Sequence, residues 1–284
     1  GAPLSFNYTL TAIAPSRCST PEQSMSRPNV SRMSRTLICL VVILAGSYLA
    51  LCVALLVFQR ALIYFPQPAT LDTPRLTLDV ADAQVQVSIR PHEGPKALIY
   101  FGGNAEDVSR NLPEFAEAFP DHALYLMHYR GFGGSSGSPS EEAIARDALT
   151  LFDKVYDSHG EVAVIGRSLG SGVAVRLASQ RPATRLVLIT PYDSLERLAV
   201  RQYPVFPVKW LLKDRFDAWK YAAHVSVPTL LLAAEQDDII PRASTDALYR
   251  HFPKGVAVLK EIAGVGHNSI SDSPEYLKLI ADGL

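Results

Sequence analysis

The run Val162-Ala163-Val164-Ile165-Gly166-Arg167-Ser168-Leu169-Gly170-Ser171-Gly172-Val173-Ala174-Val175 decides how the chain is read. Its first four residues are apolar and mostly β-branched, as a buried strand requires. Gly-x-Ser-x-Gly follows, and then a stretch of small and apolar residues suited to a packed helix. Strand, tight turn and helix in that order set Ser168 on a strained elbow at a helix N-terminus. Backbone N–H groups gather there and favour developing negative charge. An ordinary Gly-rich turn has the same letters, so the rest of the chain must supply the partners such a serine needs.

Outward from this run, strands and helices alternate. Leu76 to Arg90 partly alternates apolar and polar residues and reads as a strand pair. Strands are expected at Ala97 to Phe101, Ala123 to Met127, Val162 to Ile165, Leu186 to Ile189, Leu230 to Ala233 and Val256 to Ile262. Helical spacing of apolar residues marks Asp107 to Phe119, Glu141 to Val155, Ser171 to Ala178, Ala243 to His251 and Pro274 to Ile280. The pattern predicts an α/β fold with a mostly parallel eight-stranded sheet and helices on both faces. Leu195 to Ala223 breaks the alternation with an aromatic, apolar stretch holding Pro204 and Pro207. It reads as a small cap or as a surface helix with a bent start.

Composition sets bounds. The 284 residues carry a formal net charge of −1, and no basic stripe points to nucleic acid. Hydrophobic residues make up 48% of the chain, and their excess has a local source. Leu37 to Phe58 is 22 residues long and holds no charge. At about 1.5 Å per residue, a helix of that length spans a hydrocarbon core of roughly 30 Å. No small-residue cleavage site closes the run, so it reads as an uncleaved membrane anchor rather than a signal peptide. Arg27, Arg32 and Arg35 precede it and Arg60 follows. That bias predicts a cytoplasmic N-terminus and a catalytic domain on the extracytoplasmic side. The expected organisation is a disordered tail over 1–36, the anchor over 37–58 and a catalytic domain over 59–284, with its cap segment near 195–223. Met25 and Met33 lie shortly before the apolar run, and part of the tail is expected to be a start-site artefact. Cys18, Cys39 and Cys52 all lie in the tail or anchor, which removes thiol nucleophiles and thiolate metal sites from the candidates.

An acyl-transfer serine needs a base, and the base needs an orienting acid. Of His92, His122, His128, His159, His224, His251 and His267, the last stands in Gly264-Val265-Gly266-His267-Asn268, a loop between the last strand and last helix. Open α/β sheets place their sites in loops at the carboxyl ends of strands. The acid should follow a strand between Ser168 and His267. Asp237 and Asp238 sit in the turn after Leu230-Leu231-Leu232-Ala233-Ala234, and Asp193 follows the strand before it. All three stay open on this reading. The oxyanion would be held by the N–H of Leu169 and a second donor from Phe101-Gly102-Gly103-Asn104-Ala105, for which Asn104 N–H is the candidate. Tyr129-Arg130-Gly131-Phe132-Gly133-Gly134-Ser135-Ser136-Gly137 comes near a dinucleotide fingerprint, but Ser136 stands where the third Gly belongs.

With these motifs in order, the chain resembles the single-pass, membrane-anchored α/β-hydrolase serine hydrolases of the bud-emergence-suppressor type. The resemblance is carried by Phe58-Gln59-Arg60 with Leu62-Ile63-Tyr64-Phe65-Pro66, by Phe101 to Ala105, by Tyr129 to Glu141, by Gly166 to Gly172 and by Asp237-Asp238-Ile239-Ile240-Pro241. It implies an α/β-hydrolase fold and a Ser168–Asp237–His267 triad. The family's acid lies four residues before the Pro, which selects Asp237 over Asp238. Two departures stand out. Gly102 replaces a usual His, which predicts a looser oxyanion loop, and His128 replaces an acidic or amide residue. The expected activity is hydrolysis of an acyl ester or thioester, with lipid or other apolar acyl substrates and no metal or organic cofactor. An aminopeptidase-like amide hydrolase and a non-catalytic scaffold at the membrane are the alternatives.

Overall fold

The computed structural model describes residues 32–284. Of the disordered tail expected over 1–36, residues 1–31 lie outside the described residues, and 32–36 are not disordered but open the first helix. Helix α1 (Arg32–Ile63) opens the described chain. Its Ser34–Ile63 portion is long and apolar enough to cross a membrane, by length and composition. It continues for more than a turn beyond Phe58, where the uncharged run ends. The chain divides into two units at Tyr48, and residues Leu49 to Ile63 of α1 belong to the larger one, Leu49–Leu284.

Strands β1 (Arg75–Val80) and β2 (Ala83–Arg90) form the expected pair, followed by β3 (Lys96–Phe101). Where a single helix was expected over Asp107 to Phe119, the chain makes a 3-10 turn (Val108–Asn111) and then α2 (Leu112–Ala118). Pro113 explains the break, since its ring has no N–H to donate and fits only a first helical turn. Next come β4 (Ala123–Met127), α3 (Glu141–His159), β5 (Glu161–Arg167) and α4 (Leu169–Ala178). Helix α3 begins at a Ser140 cap and runs past Val155 until Gly160 closes it in a left-handed conformation, φ 80°.

Strand β6 (Arg185–Ile189) leads into three short helices, α5 (Leu195–Gln202), α6 (Val208–Leu211) and α7 (Ala218–Ala222). Pro204 and Pro207 lie between the first two, and so the Leu195 segment is a broken chain of turns, not one bent helix. The chain ends with β7 (Thr229–Ala234), α8 (Arg242–His251), β8 (Ala257–Ile262), a 3-10 turn (Ile270–Asp272) and α9 (Tyr276–Asp282).

The sheet has eight strands in the order β1-β2-β4-β3-β5-β6-β7-β8. β1–β2 and β2–β4 pair antiparallel, and every later neighbour pairs parallel. A parallel sheet is buried on both faces, which is why its central strands read as continuous apolar runs. One core lies around Ile99, Val164, Leu188 and Phe152, and the other around Leu98, Ile165, Ile189 and Phe115. Alternate residues of β3, β5 and β6 feed the two cores, as the two-residue period of a strand demands. The carboxyl ends of β3, β5, β7 and β8 therefore come out on one edge of the sheet, and the candidate site is built there.

Candidate active site

Ser168 follows β5 immediately and stands at φ 49°, ψ −117°, a conformation that costs a non-glycine residue about 1–3 kcal/mol. The elbow is held by a hydrogen bond from Ser168 N to Ile189 O at 2.8 Å. Its flanking glycines are required by close approach. A Cβ at Gly166 would lie 2.4 Å from Gly170 O, and one at Gly170 would lie 2.1 Å from Phe101 O. Strand, turn and helix thus press together around the serine, which is 8% exposed.

The structure brings the three predicted side chains into one line. Ser168 Oγ lies 3.0 Å from His267 Nε2. His267 Nδ1 lies 2.9 Å from Asp237 Oδ2 and 3.1 Å from Oδ1. The last strand pair explains this meeting. β7 and β8 are neighbours, so the loop after β8 can lay His267 across the turn after β7. Asp237 Oδ1 also accepts the N–H groups of Ile239 and Ile240, at 3.0 and 2.7 Å, which fixes the carboxylate in its own turn. Asp238 is exposed. Asp193 is buried, and its partners are Ser244 and Arg197.

Three of the other histidines are held elsewhere in the fold. His128 is buried against Ser88 Oγ at 2.8 Å, and burial with the Arg75 cation nearby pushes its pKa down to about 4. His251 sits at the end of α8, where Nδ1 meets Ala247 O at 2.7 Å. His159 lies between Tyr125 Oη and Gly94 O. Among the described residues, no group of three or more His, Cys, Asp or Glu side chains is placed to hold a metal ion.

Leu169 is the first residue of α4, so its N–H has no partner within the helix. Asn104 is exposed in the loop after β3, and Gly103, beside it, packs against Ser168; a Cβ there would lie 3.4 Å from the Ser168 Cβ. Three hydrogen bonds brace this loop. Tyr129 Oη donates to Gly102 O at 2.7 Å, Gly103 N donates to Glu106 Oε2 at 2.6 Å, and Asn104 Nδ2 donates to Ile63 O at 3.3 Å. The Gly102 position itself is tight, since a Cβ there would lie 2.5 Å from Val108 Cγ1.

Glu106 is the residue that sequence reasoning missed. Besides Gly103, it accepts Tyr100 Oη and Asn111 Nδ2, each at 2.6 Å, and its Oε2 lies 3.6 Å from Arg167 Nη1. Burial and the neighbouring Glu106 charge push the Tyr100 phenol well above its usual range, which keeps it a donor to that carboxylate. No motif announces Glu106. The one local signal is its spacing, three residues after Gly103, which lets a side chain close a turn on the backbone N–H. Beside these residues lies a polar cleft of about 480 Å³, lined among others by Thr70, Glu106, Arg110, Asn111, Arg167 and Asn268.

Comparison with known proteins agrees with the architecture. A family model described as serine aminopeptidase, S33 matches residues 94–214. An uncharacterized protein of Mycobacterium tuberculosis is 35% identical over 241 residues, covering 77% of this chain and 82% of that protein. Protein bem46 of Schizosaccharomyces pombe is 25% identical over 260 residues, covering 80% of this chain and 86% of its own length. The lysophosphatidylserine lipase ABHD12 of Macaca fascicularis is 30% identical over 220 residues, covering 66% of this chain and 55% of that protein. Among solved structures, an esterase of Pyrococcus furiosus superposes with a TM-score of 0.58 at 17% identity, over 76% of this chain and 93% of its own. The fold is that of the α/β hydrolases, whose relatives here include esterases and lipases. The chain belongs to that family, in the branch of bud-emergence-suppressor type.

Proposed function

We propose that the chain is a membrane-anchored serine hydrolase that cleaves carboxylic esters or thioesters of apolar acyl groups through an acyl-enzyme. The observation that carries this reading is the continuous hydrogen-bonded line from Ser168 Oγ through the His267 ring to Asp237. In the proposed reaction His267 Nε2 takes the proton as Ser168 Oγ attacks the acyl carbon. The Asp237 carboxylate holds Nδ1–H, fixes the ring and offsets the imidazolium charge. The N–H groups of Leu169 and Asn104 hold the oxyanion. Collapse of the tetrahedral intermediate expels the alcohol or thiol, which takes the proton from His267. Water, deprotonated by the same ring, then releases the acid and restores Ser168.

The substrate class rests on two supports. The Ser34–Ile63 helix is apolar enough to cross a bilayer, and ABHD12 is named as a lipase of a lysophospholipid. The polar cleft beside Arg167 and Asn268 offers room for the non-acyl part of an ester. The family description as a serine aminopeptidase favours a second reading, amide hydrolysis by the same groups.

The deciding experiment is labelling with a fluorophosphonate. Wild-type chain is expected to label and Ser168→Ala to stay unlabelled, with hydrolysis lowered at least about 10³-fold. A folded wild type that does not label would leave a non-catalytic scaffold. A panel of acyl esters and aminoacyl amides separates the two hydrolase readings, and ester turnover should rise with acyl chain length. The arginine bias around the apolar run supports a cytoplasmic N-terminus and a catalytic domain on the other side. A C-terminal reporter active only outside the cytoplasm is the expected result.

A further inference from the structure

The last turns of α1 are tied to the Leu195–Ala222 segment by a buried polar clamp. Gln59, 7% exposed, donates from Nε2 to Leu211 O at 2.9 Å and accepts Lys213 N on Oε1 at 2.6 Å. Arg60 Nε donates to Asp214 Oδ2 at 3.0 Å, and Tyr64 Oη donates to the same oxygen at 3.2 Å. Both Tyr64 and the Asp214 side chain are buried, so this contact is built into the fold. The Ile63 carbonyl that ends α1 accepts Asn104 Nδ2, which joins the helix end to the loop beside Ser168 as well.

The clamp places an unusual surface next to the end of the apolar helix. Residues 195–213 hold one acidic side chain, Glu196, and four basic ones. Glu196 pairs with Arg215, and Arg197 pairs with Asp193. Arg201, Lys209 and Lys213 are exposed, and their side chains make no ion pair among the described residues. Among them stand Tyr203, 54% exposed, and Trp210, 88% exposed and directly before the Leu211 that Gln59 holds. Leu62 and Phe65 are also exposed at the helix end.

An indole left in water costs apolar burial, whereas at a bilayer surface its ring and N–H are both satisfied. Cations without an ion-pair partner at that height are drawn to anionic headgroups. We infer that the Arg201–Lys213 strip docks on the anionic headgroup layer of the bilayer, with Trp210 as its anchor and the Gln59–Asp214 clamp holding it at that depth. The docked strip, together with the clamped helix end, turns the loop beside Ser168 towards lipid. The inference rests on the anchor reading above and not on the identity of the reaction.

Trp210 and Trp219 are the chain's two tryptophans, so Trp219→Phe leaves one reporter. The full chain is reconstituted in nanodiscs of phosphatidylcholine and phosphatidylglycerol, with and without acyl-chain bromination. Brominated lipid is expected to quench Trp210 emission about twofold or more, as for a ring at the interface. Adding Lys209→Glu and Lys213→Glu, both at exposed positions, should remove most of that quenching and open Trp210 to acrylamide. Gln59→Leu should lower it in part. A chain that floats with the nanodiscs while Trp210 stays unquenched overturns the docking and leaves the anchor standing. A chain that fails to float overturns both. Ser168→Ala should be quenched like wild type, so the result does not move with the hydrolase reading.

Discussion

Asp193 and Asp237 occupy parallel places in the fold and end in different company. Each follows a strand of the parallel sheet, and each side chain is nearly out of solvent, at 4% and 7% exposure. Asp237 meets His267 Nδ1 at 2.9 Å. Asp193 accepts Ser244 Oγ at 2.5 Å and Arg197 Nη1 at 2.8 Å. The loop after β8 lays His267 against the turn that holds Asp237, whereas the Asp193 oxygens are taken up by Ser244 and Arg197. Distance across the sheet does not decide it, since the same ring also reaches Ser168 after β5, three strands from β8. A buried carboxylate after a strand is thus a common product of this architecture, and its neighbour decides what it does.

Exchanging each carboxylate for its amide tests the contrast most strongly. Asp237→Asn should lower kcat by about 10³–10⁴-fold with little change in thermal unfolding, because the wrong ring tautomer is favoured. Asp193→Asn should keep turnover within about threefold but cost about 3 kcal/mol of stability, since Arg197 and Ser244 lose a charged acceptor. Steady-state kinetics and denaturant unfolding on both variants read the two effects. Equal losses of turnover would break the contrast.

The same two residues mark how far the sequence could be read. Strand periodicity and the Gly-x-Ser-x-Gly elbow made the sheet, its parallel half and the candidate serine legible, because both depend on local spacing. Asp237 was singled out by its family turn, whereas strand position alone left Asp193 beside it, since that choice depends on which loop reaches the His267 ring and on what else holds each carboxylate. Glu106, Asp214 and Gln59 were not legible. Their partners lie in other elements or on backbone atoms, and no spacing in the sequence encodes a contact from Gln59 to Lys213. The split of the Asp107 to Phe119 helix was available in Pro113, yet apolar spacing ran through it.

His128 extends the comparison to the two buried histidines. His267 faces a carboxylate; His128 faces Ser88 and the Arg75 cation. Burial holds His128 at about 4 when folded, against an ordinary value near 6.5. Between those pH values the unfolded chain takes up a proton that the folded chain refuses. Stability is therefore full above about pH 6.5, falls as pH drops towards 4 and levels below it, by on the order of 2–3 kcal/mol. His128→Asn should flatten this acid limb in unfolding measured across that range. An unchanged limb would assign the acid loss to other groups.

The smallest expected effect separates the line of side chains from the loop that faces it. Glu106 spends one oxygen on Gly103 N and the other on Tyr100 Oη and Asn111 Nδ2. In Glu106→Gln the amide either turns its NH₂ to the Gly103 N–H, a donor facing a donor, or turns it to Tyr100 and Asn111, which must then reorient to accept. The loop then shifts away from Ser168 while the contacts of His267 stay as they are. Turnover should fall about tenfold, roughly 1.4 kcal/mol, with KM and the pH dependence of kcat little changed. A change confined to KM would show that the Glu106 network shapes the polar cleft and not the oxyanion loop. Loss confined to kcat would tie the unannounced carboxylate to the same chemistry as the one that the sequence did announce, through backbone donors instead of a ring.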